Sequence, residues 1–580
     1  MYKKVKNKKR IQALFVAAVV LAGAGVQIPA HGGAGVIAEA AVSGGEESKL
    51  SGTEKSDGKD RSSLIRSEML EMEAGENGFI DAKGNEEVSM PLEFRGQNSC
   101  KDASSSKTSV LRGRAIERRE VEEALQGDEL LPSSYRNRNV TPVRSQGNTS
   151  LCWAYAATDN CWIRARKEGI TDGNENFSPY QLSYTAHFRN GDHWTADWIN
   201  GGGNNYMASS AMMNWEGPAL DTEYSYPDSF PLGEIGMKDA KTHLQEALFL
   251  TEPVPSDSSS RQYSDEERIA IREKAIEEIK KAIYRYGSVS ISFASYGRDE
   301  ETNSYYHELV PDVNGFRKRL AASHAVVLTG WDDSYVTQAK NNGAFLIKNS
   351  YGESFGDHGY TWISYEDASI STPFVYIGDD SVSGKHEYND LFSYDGCGYG
   401  LLMTGFSGGY ANVFTAKRAE NIGAAGIYVP ADGEYTVSLE KNLKNGVPGT
   451  GDIVATVSGT KEIMGFYTIK YGEEVRVSAG EQFAVVVNTR SGGITYQFYE
   501  GKTTGIKETT AGRQESFVDV FGDGYMDTLD VERWGKLNNA CIKAYANAAG
   551  EGRKIRYDKL SLDGTALVFA TIIHSVVGEE

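Results

Sequence analysis

The chain has 580 residues, 40% of them hydrophobic, with 60 Lys and Arg against 80 Asp and Glu. That length holds two globular domains with flanking segments, because a single core rarely grows past roughly 250–300 residues. A net charge of −20 and a pI near 5.1 exclude a nucleic-acid partner, which would call for a clustered basic surface.

The N-terminus opens on a basic run, Lys3 to Arg10, followed by an apolar stretch from Ile11 to about Ala30 and small residues at Ala38-Glu39-Ala40. This is the layout of a secretory signal over residues 1–40, and it predicts a secreted or cell-surface protein. The apolar stretch approaches the roughly 20 residues that span a bilayer, so membrane contact is expected only if the signal is retained as an anchor. Five cysteines, at positions 100, 152, 161, 397 and 541, are too few and too scattered for a disulfide framework. Cys397 and Cys541 are left either as a pair or as two buried thiols. Sequons stand at Asn139, Asn148 and Asn176. A glycan on the middle one would crowd Cys152, which favours a bacterial exporter that leaves sequons bare.

Residues 41–130 are polar and would bury little alone, which suits a propeptide or spacer. Glu, Arg and Leu content predicts a short helix around Ala115 to Leu125. From Leu131 to about residue 380 helical and β-rich stretches alternate, giving an α+β domain. One helix starts near Cys152 with Thr149 or Ser150 as its cap and Trp153, Ala156, Ala157 and Trp162 as apolar positions. Cys161 falls half a turn away from Cys152, which makes it a core residue. A second helix is predicted from Asp265 to Tyr286, with Ile269, Ala275, Ile279 and Ile283 apolar and Gly287 ending it. Short strands follow at 288–293, 325–329, 344–348 and 360–364. Past a joint near 379–385 the helical period vanishes. Runs at 425–429, 434–439, 452–457, 466–471, 482–488, 494–499 and 540–545, divided by Gly-rich turns, predict an all-β sandwich or jelly roll over 386–548. Residues 549–580 are a C-terminal extension. Asp519, Asp523, Asp527 and Asp530 fail the spacing of an EF-type calcium loop, and no metal or cofactor is assigned.

Chemistry concentrates in three segments: Gln146-Gly147-Asn148-Thr149-Ser150-Leu151-Cys152-Trp153, Ser323-His324-Ala325-Val326 and Lys348-Asn349-Ser350-Tyr351-Gly352. A thiol at a helix start feels the positive end of the macrodipole, and a neighbouring imidazolium would lower its pKa further, so Cys152 is expected as a thiolate nucleophile. His324, at the start of an apolar strand, supplies a base. Asn349, just past another strand, can hold one tautomer of that ring, and Tyr351 can shield the bond from water. Gln146 can offer its amide to an oxyanion together with the Cys152 backbone N–H.

Gln-x5-Cys-Trp, Ser-His-Ala-Val and Lys-Asn-Ser-aromatic-Gly, in this order, resemble the papain family of cysteine peptidases. Leu131-Pro132-Ser133-Ser134-Tyr135, Val140-Thr141-Pro142-Val143 and Gly352 to Tyr360 extend the likeness over roughly 131–377. The resemblance implies a two-lobe papain-like fold, a helical lobe beside a β-rich one, with catalytic Cys152, His324, Asn349 and Gln146 acting on protein or peptide substrates. It also implies that Gly202 and Gly203 pair with an extended substrate backbone, and that Ala322 and Ala325 line the pocket for the second residue before the scissile bond. The chain departs from the family pattern at Thr149, where a cysteine is usual, and at Tyr351, where tryptophan is. Cys152 and His324 lie 172 residues apart, against roughly 130–150 expected between the Cys and the His/Asn pair, which predicts cleft insertions within 227–264 and 296–320. The C-terminal region resembles the lectin-like sandwich that follows papain-type domains in secreted proteins of anaerobic bacteria, which implies cell-surface glycans as further partners. Two rival readings are a carbohydrate-binding adhesin on a papain-like scaffold and a cell-wall amidase or acyl transferase. Asn349 disfavours the last, whose third group is usually His or Asp.

Overall fold

The computed structural model describes residues 131–173, 175–188, 198–223, 240–396, 401–404, 408–500, 511–531 and 539–549, with backbone strands at 116–119, 554–562 and 565–573. The expected signal over 1–40, most of the polar segment after it and Cys397 lie outside the described residues. Among the described residues no helix is long and apolar enough to cross a membrane.

Four helices occur among the described residues: α1 Cys152–Lys167, α2 Pro179–Phe188, α3 Asn205–Met213 and α4 Asp265–Tyr286. Helix α4 has the predicted bounds because its ends are written locally. Ser264 accepts from the Glu267 N–H while Glu267 accepts from the Ser264 N–H, and Gly287 closes the helix at φ 98°. Ile269, expected on the apolar face, instead stands 44% exposed beyond the buried Ala275, Ile279 and Ile283. Helix α1 starts differently from expectation. Leu151 is its N-cap without a side-chain cap bond, while the Thr149 hydroxyl donates to the Gln146 carbonyl and the Ser150 N–H to Ile199 O. Buried through its first fourteen residues, α1 is held by packing from every side rather than by a cap.

The strands form two large sheets. A 12-stranded sheet runs, strand by strand, through Asp390–Ser393, Ile542–Ala548, Glu420–Val429, Met464–Val477, Leu244–Phe249, Ser371–Gly378, Val289–Phe293, His324–Asp332, Ala344–Lys348, Tyr360–Ser364 and Ser304–Tyr305, with Ser134–Arg136 beside His324–Asp332. A 9-stranded sheet faces its C-terminal half and contains Gly433–Lys441, Asp452–Lys461 and Gln482–Ser491. The two halves of the chain are therefore joined through main-chain hydrogen bonds, with Met464 opposite Phe249 and Phe466 opposite Ala247. The 227–264 segment, expected as a cleft insertion, supplies this joining strand. Its continuation packs on the second expected insertion, where the Asp257 N–H donates to Arg317 O and Arg319 pairs with buried Glu252. The helix expected around 115–125 is replaced by the strand Ile116–Arg119, because those residues lie along another strand and tertiary pairing overrides local propensity.

Behind the joint, Tyr388, Tyr545, Trp215, His243 and His386 make a column of stacked rings, the two histidines 3.4 Å apart at 11°. Asp379 accepts from His386 Nδ1 at 2.9 Å, and these two with His243 bring three metal-type ligand atoms within 4.8 Å of one another. A cation must lie in the plane of each imidazole it binds. Two parallel rings one layer apart cannot satisfy that together, so the column is packing.

Candidate active site

Helix α1 starts at Cys152, the strand His324–Asp332 starts at His324, and Asn349 follows the strand Ala344–Lys348, so all three predicted residues sit at the ends of elements. The Cys152 thiol lies against the backbone N–H of Ala325, next to His324. His324 Nε2 is 2.9 Å from Asn349 Oδ1. The Ser350 N–H donates to that same Oδ1 at 2.7 Å, and since a backbone N–H can only donate, this atom is the amide oxygen. An amide oxygen only accepts, so Nε2 carries the ring proton and Nδ1 keeps its lone pair. The Tyr351 ring stacks on His324 at 4.4 Å and 15°, covering the bond as expected of an aromatic there.

Gln146 is built into the same corner. Its Oε1 accepts from the Ser350 hydroxyl at 2.7 Å, its backbone N–H donates to Ser350 O at 2.8 Å, and its Nε2 donates one proton to Thr149 O at 2.7 Å. One amide proton is left to meet an oxyanion. The same residue, Ser350, thus anchors both the ring-holding amide of Asn349 and the side chain of Gln146.

Burial works against the expected thiolate: it pushes the Cys152 thiol up to about 11, and the N–H groups of Ala325 and Trp153 recover only part of that. Burial likewise lowers His324 to about 4, against the opposing effect of Asn349. A thiol above the imidazole predicts a neutral resting pair whose proton transfer waits for a reaction partner. Alkylation of Cys152 by iodoacetamide is therefore expected to climb steadily from pH 7 to pH 10. A plateau between pH 5 and 8, the mark of a thiolate and imidazolium pair, would show the opposite.

The substrate-binding expectations fare unevenly. Gly202 and Gly203 are buried at the entry to α3, and a Cβ on Gly203 would lie 2.2 Å from the Trp153 indole, so Gly203 is where backbone and ring touch. Ala322 and Ala325 are 0% and 1% exposed, closed into the core rather than facing an open pocket.

Asp159, missed in the sequence, ties the site together. Seven residues past Cys152, it shares that residue's face of α1. Its carboxylate takes Arg144 at 2.7 Å, Asn176 at 3.0 Å, Thr141 at 3.3 Å and the ammonium of Lys348. Burial opposes its charge, but Lys348 and Arg144 outweigh burial and hold the carboxyl below the usual range. Lys348 precedes Asn349, Arg144 lies two residues before Gln146, and Arg144 O accepts from Gly352 at 3.1 Å. An acid within an apolar helix was the available signal, since a buried charge requires partners.

Comparisons with known proteins cover both halves of the chain. The papain family cysteine protease model matches residues 131–376, and the lectin-like domain model matches 391–546. Cathepsin K of Mus musculus is 28% identical over 239 residues, covering 40% of this chain and 58% of its own. Cathepsin 7 of Rattus norvegicus is 25% identical over 228 residues, covering 38% and 56%. The chain thus spans a little over half the length of these curated relatives. Among solved structures, a clostridial cysteine protease, Cwp84 after propeptide cleavage, superposes with a TM-score of 0.57 at 21% identity over 72% of this chain and 100% of its own. The cysteine protease and lectin-like domains of Cwp84, a surface layer associated protein of Clostridium difficile, superpose at 0.56 and 22% identity, covering 72% and 89%. The chain carries a papain-family cysteine protease domain followed by a lectin-like domain, an α+β fold joined to a β-rich one.

Proposed function

We propose that this protein is a secreted or surface-held cysteine endopeptidase. The observation that carries the reading is the His324 to Asn349 bond, with Ser350 fixing the amide orientation, because it leaves His324 Nδ1 as a base beside Cys152. Nδ1 takes the thiol proton as Sγ attacks the peptide carbonyl. The oxyanion is met by the remaining Gln146 amide proton and the Cys152 N–H. Collapse expels the amine, which receives its proton from His324, and water then hydrolyses the thioester with His324 again as base. Gly202 and Gly203 remain the proposed partners of the substrate backbone, and Ala322 and Ala325 reach a side-chain pocket only if substrate opens the wall they close.

Surface location rests on the signal-like N-terminus and on the likeness to a surface layer associated protein. The lectin-like domain supports glycan binding, although its described aromatics are mostly core and Phe521, at 39% exposure, is the one standing out into solvent. A peptidyl epoxide is expected to form a single adduct on Cys152, retained in Cys161→Ala and absent from Cys152→Ala. An adduct on Cys152→Ala, or peptide cleavage by it, would sink the proposal.

A further inference from the structure

The strand Ile116–Arg119 lies outside the protease and lectin-like matches, yet it pairs in parallel with the lectin-like strand Asp452–Lys461. The register sets Ile116 opposite Ala455, Glu117 opposite Thr456, Arg118 opposite Val457 and Arg119 opposite Ser458. On its other side Asp452–Lys461 pairs along its length with Gly433–Lys441, so without the short strand it would be the edge of the 9-stranded sheet.

Edges left bare are usually blunted by short length, proline or charge within the strand. At the far edge this holds, for Met526–Asp527 is two residues long and carries an acid. Asp452–Lys461 has none of these protections. It is ten residues long, lacks proline and carries charge only at its two ends. Its inner side chains Ala455 and Val457 are fully buried. Its outward hydroxyls are matched to the neighbouring strand, Thr456 to Ser438 at 3.1 Å and Ser458 to Thr436 at 2.9 Å. That rigid, well-paired strand presents a row of main-chain donors and acceptors, the kind of edge that takes an added strand.

We propose that the edge of Asp452–Lys461 is a strand-accepting site, filled in cis by Ile116–Arg119 and, once that strand leaves, open in trans to the same segment of a second copy of this chain. The cis strand lies ahead of the protease domain and its partner in the lectin-like domain, so the N-terminal segment bridges to the far half of the chain. A cut between 119 and 131 turns a tethered strand into a free one. Tethering supplies an effective concentration on the order of mM, which keeps micromolar peptides out of the intact chain.

The test uses full-length chain carrying Cys152→Ala and a fluorescent peptide of residues 111–123. The intact chain is expected to bind the peptide at least about 100-fold more weakly than a Glu117→Pro/Arg118→Pro variant, since proline cannot sustain a ladder. Residues 117 and 118 lie outside both domains, and an unchanged thermal transition shows that the variant is folded. A second variant, Glu117→Cys/Thr456→Cys, is expected to cross-link on oxidation and to exclude the peptide until reduced and cut in the 120–130 segment. No cross-link, equal peptide binding by intact and proline variants, or self-association of the proline variant that the peptide cannot reverse would each overturn the proposal.

Discussion

His324→Ala is expected to lower kcat by about 10⁴-fold or more while leaving KM nearly unchanged. The reason lies in the order of the two pKa values. With the thiol pushed up to about 11 by burial, only about one molecule in 10⁴ would carry the thiolate at neutral pH without help. His324, whose lone pair at Nδ1 is dictated by the bond from Nε2 to Asn349, is the base proposed to remove that proton during attack. KM should hold because the ring is buried and stacked on Tyr351. Asn349→Ala should cost less, since the ring remains and only its tautomer and angle are released. Steady-state kinetics on a cleavable peptide, with enzyme concentration set by absorbance and folding checked by an unchanged thermal transition, decide the matter. A loss of less than about tenfold for His324→Ala would mean that another base serves Cys152.

Asp159→Asn is expected to cost about 3–5 kcal/mol of stability, because it keeps the shape of the side chain but removes the charge shared by the buried Lys348 and the half-buried Arg144. Arg144 retains Asp221 at 3.6 Å, whereas Lys348, only 1% exposed, loses the carboxylate of Asp159. Burial already lowers Lys348, and without Asp159 that depression deepens. The sign follows: a lysine depressed in the folded state penalises folding at every pH below its unfolded value and releases the penalty as pH rises toward it. Urea unfolding should therefore show a larger deficit at pH 7 than at pH 9.5. Activity should fall as well, by about 10²-fold in kcat for a displacement of about 1 Å, because Asp159 joins the Cys152 helix to the segments bearing Gln146 and Asn349. The double variant Asp159→Leu/Lys348→Met should regain stability without regaining kcat, which separates positioning from folding. A deficit under about 1 kcal/mol would put the pair in the range of solvent-screened surface bridges and end this account.

Much of the architecture was written locally. Ser264, Glu267 and Gly287 bound α4, and alternating apolar residues between Gly-rich turns marked the strands Gly433–Lys441, Gln482–Ser491 and Ile494–Tyr499. Leu244–Phe249 escaped notice because Leu-Gln-Glu-Ala-Leu-Phe carries no strand signal of its own and becomes a strand by pairing with Met464–Tyr467 and Ser371–Gly378. The start of α1 departs from the expected Thr149 or Ser150 cap for a related reason: a helix buried on all sides draws its stability from packing and can dispense with a side-chain cap.

The sequence by itself determined which residues can do chemistry. Cys152, His324, Asn349 and Gln146 stand out as the proposed nucleophile, base, orienting amide and oxyanion donor because those roles are demands on residue type and order. Tertiary structure alone decided their protonation, since desolvation depends on how completely neighbours exclude water, and it decided how they are held. Ser350 and Asp159 act across 204 and 189 residues of sequence, to Gln146 and Lys348 respectively, and no local pattern encodes contacts of that range. The joining of protease and lectin-like regions into one sheet has the same origin, because main-chain hydrogen bonds between strands are blind to sequence distance and depend only on which edges the fold brings together.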